Sequence, residues 1–259
     1  MTLKQKAHVA SVEAYDEMAP FYDGFMSTSY EAWICSLFAL AEAQRPPAGP
    51  VLDVGCGTGR SLEPLLRRGR SLTGYEPSEP MLAEARARLG DAVTLLPGGL
   101  PDLPDGEPAA IVLAVNDVLN CLPAEALEPA VGALGRRVTP GGVLVFDLNT
   151  LATYEAFFAT TFTRSTDERL FVWHGLGAAA GTHRAELHVF PHRAGADPGA
   201  RHRVSRHVQH HHDDEAARAA IAAAGLELAT LRGQHDDGRQ DPTCDEAIHT
   251  KRIYVACNR

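Results

Sequence analysis

The run Val51-Leu52-Asp53-Val54-Gly55-Cys56-Gly57-Thr58-Gly59-Arg60 constrains the fold of this chain more than any other. A short apolar strand leads straight into three glycines at alternate positions, and a helix is expected to follow. Glycines there let backbone N–H groups approach a ligand with no Cβ in the way, at a place where a helix N-terminus also points. The chain beyond keeps the same rhythm. Residues 61–68 read as helix, 71–75 as strand, 80–89 as helix with Pro80 in its first turn, and 93–96 and 109–115 as strands. Residues 123–138 read as a helix stopped by Pro140-Gly141-Gly142, and 143–146 as the next strand. Strands alternating with helices predict a parallel sheet wrapped by helices, an α/β fold.

The flanks differ. Residues 1–45 read as two helices ended by the Pro46-Pro47-Ala48-Gly49-Pro50 cluster. From 150 to 212 three strand-like segments, near 169–175, 183–190 and 201–210, follow one another with no helix between them, which predicts an antiparallel insertion. A helix over 213–224 with Gly225 as its cap, then strands 226–231 and 248–257, would close the main sheet. The expected organisation is an N-terminal helical cap (1–45), a core (46–149 and 213–259) and an antiparallel β lid (150–212).

A length of 259 residues suffices for one large core without metal or disulfide support. No run of 18 apolar residues occurs, so no membrane span is expected, and the polar start argues against a secretory signal. Basic residues number 24 against 33 acidic ones, a net charge of −9 that repels a polyanion. Five cysteines without a CxxC pair fit a reducing compartment, so a cytoplasmic location is expected.

A dinucleotide fingerprint would need its third glycine where Arg60 stands. Here the spacing is DxGxGxG, and a second acid, Glu76, ends the next strand in Thr73-Gly74-Tyr75-Glu76-Pro77-Ser78-Glu79-Pro80-Met81-Leu82. A carboxylate at that tip can accept both hydroxyls of a ribose. On these two motifs the sequence resembles the class I S-adenosylmethionine (SAM)-dependent methyltransferases, in the branch that acts on small molecules. The resemblance extends to Ala19-Pro20-Phe21-Tyr22-Asp23, Asn116-Asp117-Val118-Leu119-Asn120-Cys121-Leu122, Pro140 to Thr150, His207-Val208-Gln209-His210 and Arg252 to Ala256.

The family implies a doubly wound, seven-stranded Rossmann-like sheet with the insertion as lid. It implies SAM held by Tyr22, Asp53, Gly55, Cys56, Gly57, Gly59, Glu76, Pro77, Met81, Gly99, Leu100 and Asn116. It places the acceptor near Tyr15, Trp33, Asn120, Trp173 and Gln209, with His207 and Asn149 as catalytic residues. Two departures stand out. Leu96-Pro97-Gly98-Gly99-Leu100 lacks the usual Asp near the adenine, leaving backbone at Gly99 and Leu100, and Cys121 and His210 replace the usual Tyr and Arg.

His207 is the candidate base: an unperturbed imidazole titrates near pH ~6.5, and strand alternation puts it on one face with Ser205 and Gln209. Most of the other histidines of the insertion read as solvated. His210-His211-His212 offers no helical pairing and no nearby Cys ligand, so no metal is expected. Arg201, Arg203 and Arg206 form a basic face or an anionic-substrate handle. No Pro-Pro-Tyr follows the fourth strand, and no nucleic-acid partner is expected.

The expected activity is transfer of the SAM methyl group to a nitrogen, oxygen or carbon of a small molecule by in-line displacement, with a monomer or homodimer as the working form. Arginine far exceeds lysine (only Lys4, Lys6 and Lys251), a composition of GC-rich bacteria, where such enzymes tailor secondary metabolites. The alternatives are a SAM-binding protein of non-methylating chemistry (a cyclase or lyase), a binding module, and, further off, a nicotinamide oxidoreductase.

Overall fold

The computed structural model describes residues 12–26, 30–179, 181–192 and 201–259. Residues 1–11 of the expected helical cap lie outside the described residues. The parallel strands are β1 (Val51–Val54), β2 (Leu72–Glu76), β3 (Thr94–Pro97), β4 (Ala109–Ala114) and β5 (Val138–Asn149). Four further strands, β6 (Thr161–Ser165), β7 (Arg169–Ala179), β8 (Thr182–Pro191) and β9 (Arg203–His210), form a separate antiparallel sheet in sequential order. The last three are β10 (Glu227–Gln234), β11 (Gln240–Asp241) and β12 (Lys251–Cys257).

The main sheet runs β11-β10-β12-β5-β4-β1-β2-β3. Seven strands match expectation, and the two-residue β11 adds an eighth at the edge. Every residue of β1 and β4 is buried, as suits parallel strands covered on both faces. β12 runs antiparallel between β5 and β10 and pairs Lys251 with Asn149. The chain order reverses between β1 and β4, so the loops after these two strands open on one crevice, where ligands bind in open α/β sheets.

The main helices are α1 (12–18), α2 (Tyr30–Glu42), α3 (Glu79–Leu89), α4 (Leu127–Gly135) and α5 (Asp214–Ala223). Sequence chemistry sets their ends. Ser78 caps α3 by accepting from the Met81 N–H at 3.3 Å, and Asp213 caps α5 by accepting from Ala216 at 2.7 Å. Two expected helices are shorter. Residues 63–68 form 3-10 turns with Pro64 in the first turn, stopped by Gly69 at φ 68°. The helix expected over 123–138 begins at Leu127, and its last residues turn into β5, where Val138 pairs with Ala109.

Other differences follow from packing. β6 was not expected, because only Phe162 in it carries a large apolar side chain; pairing with β7 supplies its stability. Ile248 lies in a loop with 58% exposure, so the last strand starts three residues later than expected. None of the five cysteines is in a disulfide. Among the described residues no helix is long and apolar enough to cross a membrane.

Candidate active site

Two cavities open at the carboxyl ends of the parallel strands. The first encloses about 830 Å³ including its mouth and lies between the glycine loop, the ends of β2 and β4, and the N-terminal segment. Gly55, Gly57 and Gly59 all have positive φ, as a loop this tight requires. A Cβ on Gly55 would lie 2.5 Å from Val118, whereas a Cβ on Gly57 would meet nothing within 4 Å. Gly57 therefore keeps the cavity floor open, and Gly55 lets the loop pack.

Glu76 ties this floor to β2. Its Oε2 accepts from the Gly57 N–H at 3.0 Å and its Oε1 from the Ser78 N–H at 3.0 Å. Burial pushes its carboxyl up to about 7 against those two hydrogen bonds. The N-terminal segment is fastened over the same cavity. Ser78 donates to Asp16 at 2.6 Å, Thr58 donates to Asp23 at 2.8 Å, and Asn116 Nδ2 donates to the Tyr22 hydroxyl at 2.8 Å. Burial raises the phenols of Tyr15, Tyr22 and Tyr30, which keeps them protonated. The Arg60 guanidinium stands 4.8 Å above the Tyr30 ring.

The second cavity, about 1080 Å³ with its mouth, shares Tyr30 and Asn116 with the first. Rings of Phe25, Trp33, Phe157 and Trp173 line it together with Asp117, Asn149, Gln209, Gln234, Asp236 and Lys251. The wall between the cavities is strained: Asn116 and Asp117 are consecutive non-glycine residues at φ 68° and 73°. Such residues cost on the order of 1–3 kcal/mol each and persist only where the surroundings fix them. Here the buried Asp147 carboxylate accepts their N–H groups, at 2.5 Å from Asn116 and 3.4 Å from Asp117.

Lys251 completes the network. It donates to Asp147 at 2.7 Å, to Asn149 at 3.2 Å and to Asp117. The two carboxylates hold its ammonium above the ordinary lysine range despite burial. Gln209 joins the lid sheet to this hub: it accepts from Asn149 Nδ2 at 2.9 Å and donates to Asp117 at 3.4 Å.

Comparisons with known proteins agree with this architecture. Residues 51–142 match a family described as a methyltransferase domain. The chain is 32% identical over 226 residues to a dTDP-3-amino-3,4,6-trideoxy-alpha-D-glucopyranose N,N-dimethyltransferase of Streptomyces venezuelae, covering 83% of this chain and 92% of that one. The chain is a class I SAM-dependent methyltransferase. A dTDP-3-amino-3,6-dideoxy-alpha-D-glucopyranose N,N-dimethyltransferase of Streptomyces fradiae is 31% identical, over 84% of this chain and 86% of its own. The crystal structure of Streptomyces venezuelae DesVI superposes with a TM-score of 0.72 at 28% identity, over 92% of this methyltransferase and 97% of DesVI. SAM is the cofactor and a small molecule the methyl acceptor.

Ten of the twelve residues expected at the cofactor line the first cavity of the methyltransferase, all but Asp53 and Gly59. Asp53 lies beneath the loop, fully buried, where it accepts from the Ser61 hydroxyl; burial pushes its carboxyl up to about 7. Gly59 serves packing instead, since a Cβ there would lie 2.7 Å from Leu89 of α3. Trp33, Trp173, Gln209 and Asn149 line the second cavity.

Three residues expected on the acceptor side do not line the second cavity. Tyr15 lines the first cavity, not the second, with its hydroxyl 3.7 Å from Cys121 Sγ. Asn120 lines neither; it is fully buried and bonds Tyr154 at 3.0 Å, the His210 carbonyl at 2.9 Å and the Asn149 N–H at 2.9 Å. His207 also lines neither of these cavities. Its ring sits 5.2 Å from that of Trp173 and 5.7 Å from that of Tyr15, its Nε2 is 2.9 Å from Ser205 Oγ, and burial lowers its pKa to about 4.

Asp117, Asp147, Lys251, Tyr30 and Arg60 did not figure among the expected site residues. Signals for two of them stand in the sequence: Asp147 is a charge inside the apolar run Val143–Leu148, and Lys251 is the one lysine after Lys6.

Proposed function

We propose that the methyltransferase transfers its methyl group to the amino nitrogen of a sugar. Support comes first from the second cavity, which joins aromatic walls to a carboxylate, Asp117, immediately beside the shared residue Asn116. Sugar rings present C–H faces to aromatic rings and hydroxyls to amides such as Asn149, Gln209 and Gln234. An amine is attracted by a carboxylate, and Asp236 adds a second one. The two Streptomyces relatives named above, both N,N-dimethyltransferases of amino sugars, point the same way.

In this proposal the first cavity holds SAM, with Glu76 accepting the ribose hydroxyls, Arg60 facing the carboxylate of the amino-acid tail, and Gly99 and Leu100 beside the adenine. SAM supplies an electrophilic methyl on a sulfonium, and the sulfur departs with the bonding pair. Asp117 accepts a hydrogen bond from the acceptor amine and aims its lone pair at the junction between the cavities. Tyr22, Tyr30 and Asn116 narrow that junction and fix the approach.

Alignment of this kind supplies up to about 7–11 kcal/mol, against a factor of about 10²–10⁴ from a general base. A neutral amine attacks without prior deprotonation, and the methylated ammonium it becomes gives its proton to solvent water before any second transfer, so the methyl-transfer step itself requires no base of the strength of a free imidazole. His207 then acts as a positioning residue that holds Trp173 and Tyr15. Residues 150–212 form the lid over the acceptor. The reaction proceeds without nucleic acid, in the cytoplasm, in a monomer or homodimer.

The test is incubation with SAM and matched pairs of sugar nucleotides, one carrying an amino group and the other a hydroxyl at the same carbon. S-adenosylhomocysteine release and mass gain of one or two methyl groups are expected only with the amine. Equal methylation of the hydroxyl partner would reject the amine assignment and leave the SAM assignment standing.

A further inference from the structure

His235, Asp241 and His249 come together at the outer rim of the acceptor cavity, from three separate segments: the end of β10, strand β11 and the approach to β12. We propose that they bind a first-row divalent cation, with Zn²⁺ the best match to the donor set. The proposal is independent of which acceptor the methyltransferase uses.

Asp241 Oδ2 lies 2.8 Å from His235 Nε2 and 3.2 Å from His249 Nε2, and the three ligand atoms fall within 4.8 Å of one another. Metal–ligand bonds of about 2.0–2.2 Å imply separations of roughly 2.9–3.5 Å between neighbouring donors. Both edges that meet at the carboxylate thus sit near those of a metal shell, and only the two imidazoles need to close on each other. Two imidazoles and one carboxylate suit Zn²⁺ and leave further positions for water. Arg239 approaches Asp241 from the other oxygen, with its Nη1 3.9 Å from Oδ1, and leaves the shared Oδ2 to the histidines.

His249 has the surroundings of an oriented ligand. Its Nδ1 is 3.1 Å from the Asp245 carbonyl oxygen and 2.9 Å from the Asp245 N–H. When Nδ1 carries the proton and donates to that carbonyl, Nε2 presents a lone pair toward Asp241, the outer-shell arrangement that metal-bound histidines use. The same residue also serves the other tautomer through its N–H, so the ring stays seated with or without an ion. Gly233 makes the seat: a Cβ there would lie 2.7 Å from the His249 ring. The ring is almost fully buried, with 3% side-chain exposure.

The position gives the ion a use. Gln234, Asp236 and Thr250, each next to a ligand in sequence, line the acceptor cavity. Gln240 bonds Ser36 of α2 at 3.1 Å, and Trp33 of the same helix donates to Gln234. A cation bound here would cross-link the β10–β11 hairpin to the approach of β12 and stiffen one wall of the acceptor site. No methionine or cysteine participates, and no redox step is involved.

The experiment uses the full-length protein stripped with a chelator and titrated with ZnCl₂ by calorimetry, and with Co²⁺ by visible absorption. One equivalent should bind with a raised melting temperature. The exposed-side ligands are the ones to alter, because replacing the buried His249 could unfold the loop. His235→Ala and Asp241→Asn should each weaken Zn²⁺ by at least ~100-fold, beyond the usual effect of an outer-shell change, with SAM binding intact as evidence of folding. If the unaltered protein takes up no stoichiometric Zn²⁺, the proposal fails. It fails equally if both variants bind Zn²⁺ as the parent does, since uptake would then belong to other histidines and Asp241 would merely accept two hydrogen bonds.

Discussion

Glu76 should make SAM binding a proton-releasing event. In the free protein, burial holds its carboxyl at about 7, so below neutrality most molecules carry a proton there. The ribose hydroxyls need the ionised form. Two charge-assisted hydrogen bonds at about 1.5–3 kcal/mol each correspond to roughly 2–4 pKa units at ~1.36 kcal/mol per unit. The bound carboxyl therefore falls back toward the ordinary range, near ~4.3. The sign follows from the bound value lying below the free one. Affinity is fully expressed above about 7 and falls as pH drops through that value, by roughly 50–100-fold between about pH 8 and pH 5. Calorimetry near pH 6 in two buffers of different ionisation enthalpy should count about 0.9 proton released per SAM. Asp53 titrates at a similar value, but it lies under the loop beside Ser61 and outside the cavity. Asp53→Asn should thus keep the release, while Glu76→Gln abolishes it and weakens SAM at least about tenfold at pH 8. Proton release that survives in Glu76→Gln, or that is absent from the parent, would refute this account of the ribose site.

Three further outcomes follow. Lys251→Met leaves the buried Asp147 carboxylate without its cation and should cost about 3–5 kcal/mol in urea denaturation; a loss under about 1 kcal/mol would show that the hub does not depend on charge. Gly55→Ala should destabilise the fold, because its Cβ meets Val118 at 2.5 Å, whereas Gly57→Ala should cost only the left-handed backbone strain of about 1–2 kcal/mol and show its main loss in SAM affinity; similar melting curves with unequal SAM binding in the opposite order would contradict the cavity floor as described. His207, lowered from 6.5 to about 4 by burial, withholds stability as pH falls through that window, by up to roughly 3 kcal/mol. His207→Ala should flatten that pH dependence and raise the acceptor KM with kcat changed by less than about tenfold; a kcat loss of about 10²–10⁴ instead would restore the general base.

The floor of the first cavity was legible in the sequence because it is local. Gly57 and Glu76 stand 19 residues apart, joined by one strand–turn–strand unit, and the hydrogen bond from Gly57 to Glu76 closes that unit. The acceptor side is not local. Its hub joins Asn116 and Asp117 to Asp147 and all of these to Lys251, which lies 134 residues from Asp117 and 104 from Asp147. Only the antiparallel register of β12 against β5, which pairs Lys251 with Asn149, brings them together. Period-two alternation put Ser205, His207 and Gln209 on one face of β9, and that face is the buried one. It could not tell which of them reaches the second cavity: Gln209 does, whereas Ser205 and His207 line a separate one with Glu17 and Arg203, and the Trp173 and Tyr15 rings stand beside His207. Asn120 stands off the second cavity for a related reason: its amide is consumed by β5, Tyr154 and the His210 carbonyl.

The antiparallel sheet β6–β9 shares no ladder with the main sheet. Every residue lining the first cavity precedes it in the chain, from Val12 to Leu122. The sheet meets the hub through few polar ties, chiefly Gln209 and the His210 carbonyl. Its apolar face, however, packs on the segment that covers the first cavity, with Met18, Phe21, Tyr22 and Phe25 against Phe171, Trp173 and Leu187, so the freedom to rebuild it lies in the residues that do not meet that segment. The clientele of an enzyme built this way is free to drift, provided that whatever replaces Gln209 still reaches Asn149 and Asp117. If the segment covers the acceptor as proposed, grafting that of a relative into positions 150–212 together with the N-terminal residues it packs on should carry over an acceptor preference while SAM binding persists.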